Sequence, residues 1–181
     1  MATVQAERGQ EKFSTWDLFY ALNMAVACLI SYSLTTHVLS PLVGTPDALL
    51  GGMWASVATV FVFRATRADS LSAGINRLIA TCVSFALCLT YLLILPFHPA
   101  GLSALLAIGT VIIMYLDRRE DILTTGITTT VVMLGAALSP QHAWRQPLLR
   151  LGDTVLGIGV GVTCKWIASF LYYRSAGKPA Q

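Results

Sequence analysis

Residues 149–162, "LRLGDTVLGIGVGV", decide how this chain is read. The run is apolar and rich in glycine, yet Arg150 and Asp153 stand three residues apart at its start. Ionisable groups are expensive inside a membrane span, and they face a bundle interior or a partner. A related stretch, "NRLIATCVSFALCL", occupies residues 76–89. A shift of 73 residues lays "GINRLIATCVSF" over "PLLRLGDTVLGI" without a gap, placing Arg77 on Arg150, Leu78 on Leu151 and Thr81 on Thr154.

The surrounding chain has membrane composition. Its 181 residues are 55% hydrophobic and 12% charged, with mean hydropathy +0.67. A soluble domain carries about 25% charged residues. A spanning helix takes about 17–25 apolar residues, and six such runs are present, near 18–39, 48–64, 75–95, 101–116, 122–138 and 149–173. "SPLVGTPD", "PFHPAG" and "SPQHAWRQP" have the turn chemistry of linkers, and "RATRADSLSAG" and "DRREDI" fill the other gaps. The threonine- and valine-rich "TTGITTTVVM" would favour a strand in water. In lipid an open sheet edge leaves backbone groups unsatisfied, so a helix is expected. The runs are apolar on every face, unlike the alternating strands of a membrane barrel.

The expected fold is therefore an all-α integral membrane protein with six transmembrane helices. A cytoplasmic segment (1–16) precedes a membrane domain (17–173), and a cytoplasmic tail (174–181) follows. The 73-residue shift makes the domain an inverted three-helix repeat, about 17–95 and 101–173. Three spans per unit is an odd number, so the second unit enters upside down, a recurrent transporter design. Positive charge sets the orientation. With both termini inside, Arg8, Lys12, Arg64, Arg67, Arg77, Arg118, Arg119, Arg174 and Lys178 lie on the cytoplasmic side, and only Arg145 and Arg150 lie towards the outside. His37, His98 and His142 then fall at the outer side, with spacing that matches no metal motif.

Several partners and chemistries are not indicated. The net charge is only +3 and no basic tract suggests nucleic acid. The four cysteines lie inside apolar runs and read as small hydrophobes. The polar first residues have no signal-peptide core. No nucleophile elbow, zinc motif or cofactor fingerprint occurs, so neither an enzyme nor a cofactor is expected.

The candidate substrate and proton-coupling residues are Arg150, Asp153, Thr154, Arg77, Thr81, Asn23 and Lys165. Arg150 and Asp153, spaced i, i+3, share a helix face. Near a helix start, an aspartate also suits the helix dipole, so a cap with an ion bridge competes with a proton-carrying site. Arg77 reads as a helix-start arginine, and Ala80 stands where the second copy has Asp153. Asn23 suits a buried hydrogen bond. Lys165 either snorkels to the inner surface or adds charge to an anion path. Gly157 and Gly161 form a GxxxG spacing, and Gly51, Ala55 and Thr59 form a small-residue stripe, so spans two and six should pack closely. Trp16, Trp54, Trp144 and Trp166 are expected as interfacial anchors.

These residues resemble the fusaric acid resistance family, which includes bacterial aromatic acid exporters. "GGMWASVATVFVFRATRADSLSAGINRLIATCVSFAL" is similar to its first membrane repeat, with Trp54, Arg77 and Thr81 on the motif. "LLRLGDTVLGIGVGV" is similar to the later motif, through Arg150, Asp153, Thr154 and Gly157. Ala80 departs from the family's usual glycine, and many members have a second membrane half and soluble domains. The resemblance implies a half-size version that exports small organic or aromatic carboxylic acids, driven by protons, across the bacterial inner membrane. A homo-oligomer would supply the missing half, and the partners would be the bilayer, an organic anion and protons. A passive anion channel and a structural membrane protein are the alternatives.

Overall fold

The computed structural model describes residues 15–64 and 66–175. Six α-helices account for nearly all of them: α1 (Thr15–Val43), α2 (Thr45–Val62), α3 (Arg67–Ile94), α4 (Pro99–Tyr115), α5 (Ile122–Leu138) and α6 (Arg145–Ser175). Single 3-10 turns precede α5 and α6, and no strand occurs among the described residues. Most of the expected terminal segments, 1–16 and 174–181, lies outside the described residues.

Local chemistry sets the helix ends. Gly44 has φ 89°, a conformation open to glycine, and breaks the chain between α1 and α2. The Thr66 hydroxyl accepts a hydrogen bond from the Asp69 amide at 3.1 Å and caps α3. His98 caps α4 by accepting from the Ala100 amide at 3.2 Å, with Pro99 opening the helix. Asp117 turns the chain after α4 with φ 56°.

These caps correct several expected boundaries. The α1 helix runs through Pro41, inside the expected linker, as far as Val43. The α3 helix starts at Arg67, absorbing most of "RATRADSLSAG". Arg77 therefore stands well inside a helix, not at its start. The α6 helix starts at Arg145, and Pro147 is tolerated in its first turn, where its missing N–H costs no intrahelical bond.

Four helices are long and apolar enough to cross a membrane, within Asp17–Val38, Arg67–Ile94, Arg119–Leu138 and Arg145–Phe170. Pro46–Val62 and Pro99–Tyr115 are shorter apolar helices. The bundle carries many of its large apolar side chains outside: Leu22, Leu29, Leu93, Ile94, Val111, Leu123 and Leu138 are all more than half exposed. Its interior is unusually polar, with Ser31, Thr35, Thr59, Thr81, Ser84, Thr129 and Asp153 buried. That distribution suits lipid as the solvent.

The packing has a two-fold pattern. The principal pairs are α1 with α2, α2 with α6, α3 with α6 and α3 with α5, and α4 packs on α5. Exchanging α1 with α4, α2 with α5 and α3 with α6 converts each of these pairs into another pair in contact. The α2–α6 contact becomes α5–α3, and α3–α6 maps onto itself. The long helices α3 and α6 thus meet at the centre, each packed against the middle helix of the other unit, α5 and α2.

Candidate functional site

The α2–α6 contact is built by small residues. A Cβ on Gly157 would meet the Ala58 Cβ at 2.8 Å and would strike the Ala55 carbonyl. The Thr59 hydroxyl lies 2.9 Å from the Gly157 carbonyl and 3.0 Å from that of Ala55, so one donor is shared across the interface. Gly161 packs on Thr59, and Gly51 and Ala55 are buried on the same helix. Close backbone approach here fixes α6 and everything it carries.

Arg150 and Asp153 lie on the next part of α6. Arg150 is 5% exposed and Asp153 is 0% exposed. Arg150 Nη1 stands 3.1 Å from Asp153 Oδ2. The angle is poor, and Arg150 Nη1 and both carboxylate oxygens lack an aligned hydrogen bond among the described residues. Asp153 sits more than two turns inside α6, so it does not cap that helix. Asp47, near the start of α2, is within electrostatic range of Arg150.

Arg77 reaches the same region from α3. It is 6% exposed, and its Nε and Nη1 have no hydrogen-bond partner among the described residues. Its guanidinium carbon lies 4.5 Å from the centre of the Phe61 ring, and that of Arg150 lies 5.6 Å from the Trp54 ring. Both arginines, with Trp54, Thr128, Val131 and Thr154, line one small space of about 10 Å³. That is room for roughly a single water. Arg77 also lines a much larger cavity of about 400 Å³ near the α2–α3 and α4–α5 loops, together with Phe61, Asn76, Glu120 and Asp121. Arg77 is therefore the residue shared between the wide vestibule and the narrow centre.

The mouth of the vestibule is tied by Arg118. Its Nε donates to Asp121 Oδ2 at 2.9 Å, and its Nη2 donates to Asn76 Oδ1. Behind the vestibule, α3 and α5 meet along a hydroxyl seam. The Ser84 hydroxyl donates to the Thr125 carbonyl at 3.0 Å and accepts from the Thr129 hydroxyl at 3.1 Å.

The sequence candidates divide into three groups. Arg77, Arg150 and Thr154 converge on the small space, with Asp153 held by Arg150. Thr81 is buried, but its hydroxyl donates to the Arg77 carbonyl at 2.9 Å, and it lines neither cavity. Asn23 is half-buried on α1 and lines neither. Lys165 is 6% exposed and sits apart, its ammonium 5.0 Å from the Tyr20 ring and 5.3 Å from the Phe63 ring. Two aromatic rings therefore face its charge.

Trp54 also departs from its expected role as an interfacial anchor. It is half-buried over Arg150, whereas Trp144 and Trp166 remain 44% and 50% exposed. Trp16 lies outside the residues whose side chains are described. Sequence reasoning overlooked Phe61, Thr128 and the α5 seam. The seam had a signal, since the buried residues Thr125, Thr128, Thr129, Val132, Met133 and Ala136 recur at helical spacing.

A helical bundle with an apolar exterior and buried, underpaired charges on central helices is the form of a polytopic membrane protein. The family model described as fusaric acid resistance protein-like matches residues 26–164. The chain belongs to that family, and so to a group of multi-pass membrane proteins tied to transport and efflux. It is also similar to the uncharacterized protein YqjA of Bacillus subtilis (strain 168), with 26% identity over 108 residues. That alignment covers 60% of this chain and 32% of the relative, so the chain spans about a third of its length. No solved structure is a significant match.

Proposed function

We propose that the chain is a subunit of a proton-coupled exporter of small organic or aromatic carboxylic acids in the bacterial inner membrane. The carrying observation is Arg77, a buried guanidinium with unpartnered donors that lines both the vestibule and the central space. An unpaired buried charge is destabilising, and an entering carboxylate would supply its missing partner. Arg150 is the second anion-binding group, and Asp153 is the proton carrier.

The pairing pattern of the helices supports six spans arranged as an inverted repeat, and the arginines of the α2–α3 and α4–α5 loops support both termini cytoplasmic. The vestibule then faces the cytoplasm, as an exporter requires. The exporter is an oligomer of this chain. The test is benzoate transport by purified protein in proteoliposomes, with and without a pH gradient. Gradient-driven accumulation is expected, lost in Asp153→Asn, with weaker uptake at low benzoate in Arg150→Gln. Equilibration that ignores the gradient would indicate a passive channel. Absence of flux above protein-free vesicles would indicate a structural protein.

A further inference from the structure

The two arginines share a feature that charge pairing does not explain. Each carries an aromatic ring from the same helix: Phe61 over Arg77 at 4.5 Å and Trp54 over Arg150 at 5.6 Å. Both rings belong to α2, seven residues apart. Seven residues are nearly two turns, so the rings share one face about 10 Å apart along the helix. Phe61 borders the wide vestibule, and Trp54 borders the narrow space. Arg77 borders both spaces, the one of about 400 Å³ at Phe61 and the one of about 10 Å³ at Trp54.

We infer that Trp54 is the outer gate of the permeation path, a ring closed over Arg150 that an anion must displace to leave. The physical basis is competition for one guanidinium. A cation–π contact is weaker than a charge-assisted bond to a carboxylate. The ring and Asp153 share Arg150 while no substrate anion is present, and the ring yields its place when one arrives. Phe61 makes the same contact at the vestibule, where Arg77 receives the anion first. Because α2 is clamped to α6 at Gly157 and Thr59, the ring moves by side-chain rotation while the helix stays in place.

This inference rests on the export reading for its direction, but its test does not require transport. Val131 lines the same small space as Trp54. Val131→Cys, in a background with the four native cysteines replaced by alanine, is labelled with a membrane-impermeant anionic methanethiosulfonate added from the α5–α6 side. Slow labelling is expected with Trp54 in place. Trp54→Ala should raise the rate by at least about tenfold, the order expected from losing a desolvated cation–π contact. Trp54→Phe should keep labelling slow, because a ring remains. Equal rates in the parent and Trp54→Ala, whether fast or slow, would overturn the gate. So would fast labelling in Trp54→Phe. Circular dichroism and size-exclusion profiles show whether Trp54→Ala folds; if it does not, Trp54→Leu takes its place with the same expectation. In proteoliposomes, Trp54→Ala should equilibrate benzoate without accumulating it. A changed labelling rate in a protein with no benzoate flux would leave the gate standing and remove the export reading.

Discussion

At the residue scale, the contrast between Arg77 and Arg150 can be measured directly. Both are buried in the same region, but only Arg150 has a carboxylate in an ion pair among the described residues. Removing one member of a buried pair leaves the other uncompensated, at about 3–5 kcal/mol. Arg150→Gln is therefore expected to lower the unfolding midpoint in detergent well below that of Arg77→Gln. Arg77→Gln removes a charge with unsatisfied donors and should cost little, or raise the midpoint. Equal losses in the two variants would mean that Arg77 also has a stabilising partner. The Arg150–Asp153 spacing was legible in the sequence because i, i+3 is a local rule. The aromatic rings over the arginines were not. Trp54 lies 96 positions from Arg150, and nothing local to either residue announces the contact.

At the element scale, close packing of α2 on α6 gives a second prediction. Gly157→Leu forces a large side chain against the Ala55 carbonyl and the Ala58 Cβ. Overpacking of this kind costs about 1–3 kcal/mol or more, and it should lower thermal stability in detergent. Gly159→Leu is the control, because a Cβ there meets nothing within 4 Å. It should leave the midpoint unchanged. A Gly157→Leu protein as stable as the Gly159→Leu protein would remove the interface from the bundle's stabilising contacts. GxxxG revealed this contact in the sequence, since backbone approach needs small residues at one-turn spacing. Helix starts were harder to see. The beginnings of α3 and α6 depend on the Thr66 cap and on a proline tolerated in a first turn. A hydropathy run finds the apolar middle of a helix and misses a polar first turn.

At the scale of the whole molecule, the remaining question is which end faces the cytoplasm. The vestibule end carries Arg64 and Arg67 near the α2–α3 loop and Arg118 and Arg119 near the α4–α5 loop, whereas Arg145 stands at the α5–α6 end. Positive residues in short loops stay on the cytoplasmic side. The 73-residue repeat, visible as an arginine and a threonine four residues apart in each copy, makes the α2–α3 loop the counterpart of the α5–α6 loop, which an inverted arrangement puts at the opposite end. The α2–α3 and α4–α5 loops both border the vestibule, at one end of the bundle. Arg119 and Gln141 are exposed and belong to opposite ends, so single cysteines at these positions report the orientation. Arg119→Cys in intact cells should resist an impermeant maleimide until the membrane is permeabilised, and Gln141→Cys should label at once. The reverse pattern would turn the vestibule outwards and make uptake, not export, the direction that Arg77 serves. Labelling of both positions from outside would mean that α5, the helix between them, does not cross the bilayer. The six-span arrangement would then fail, although the family assignment would stand.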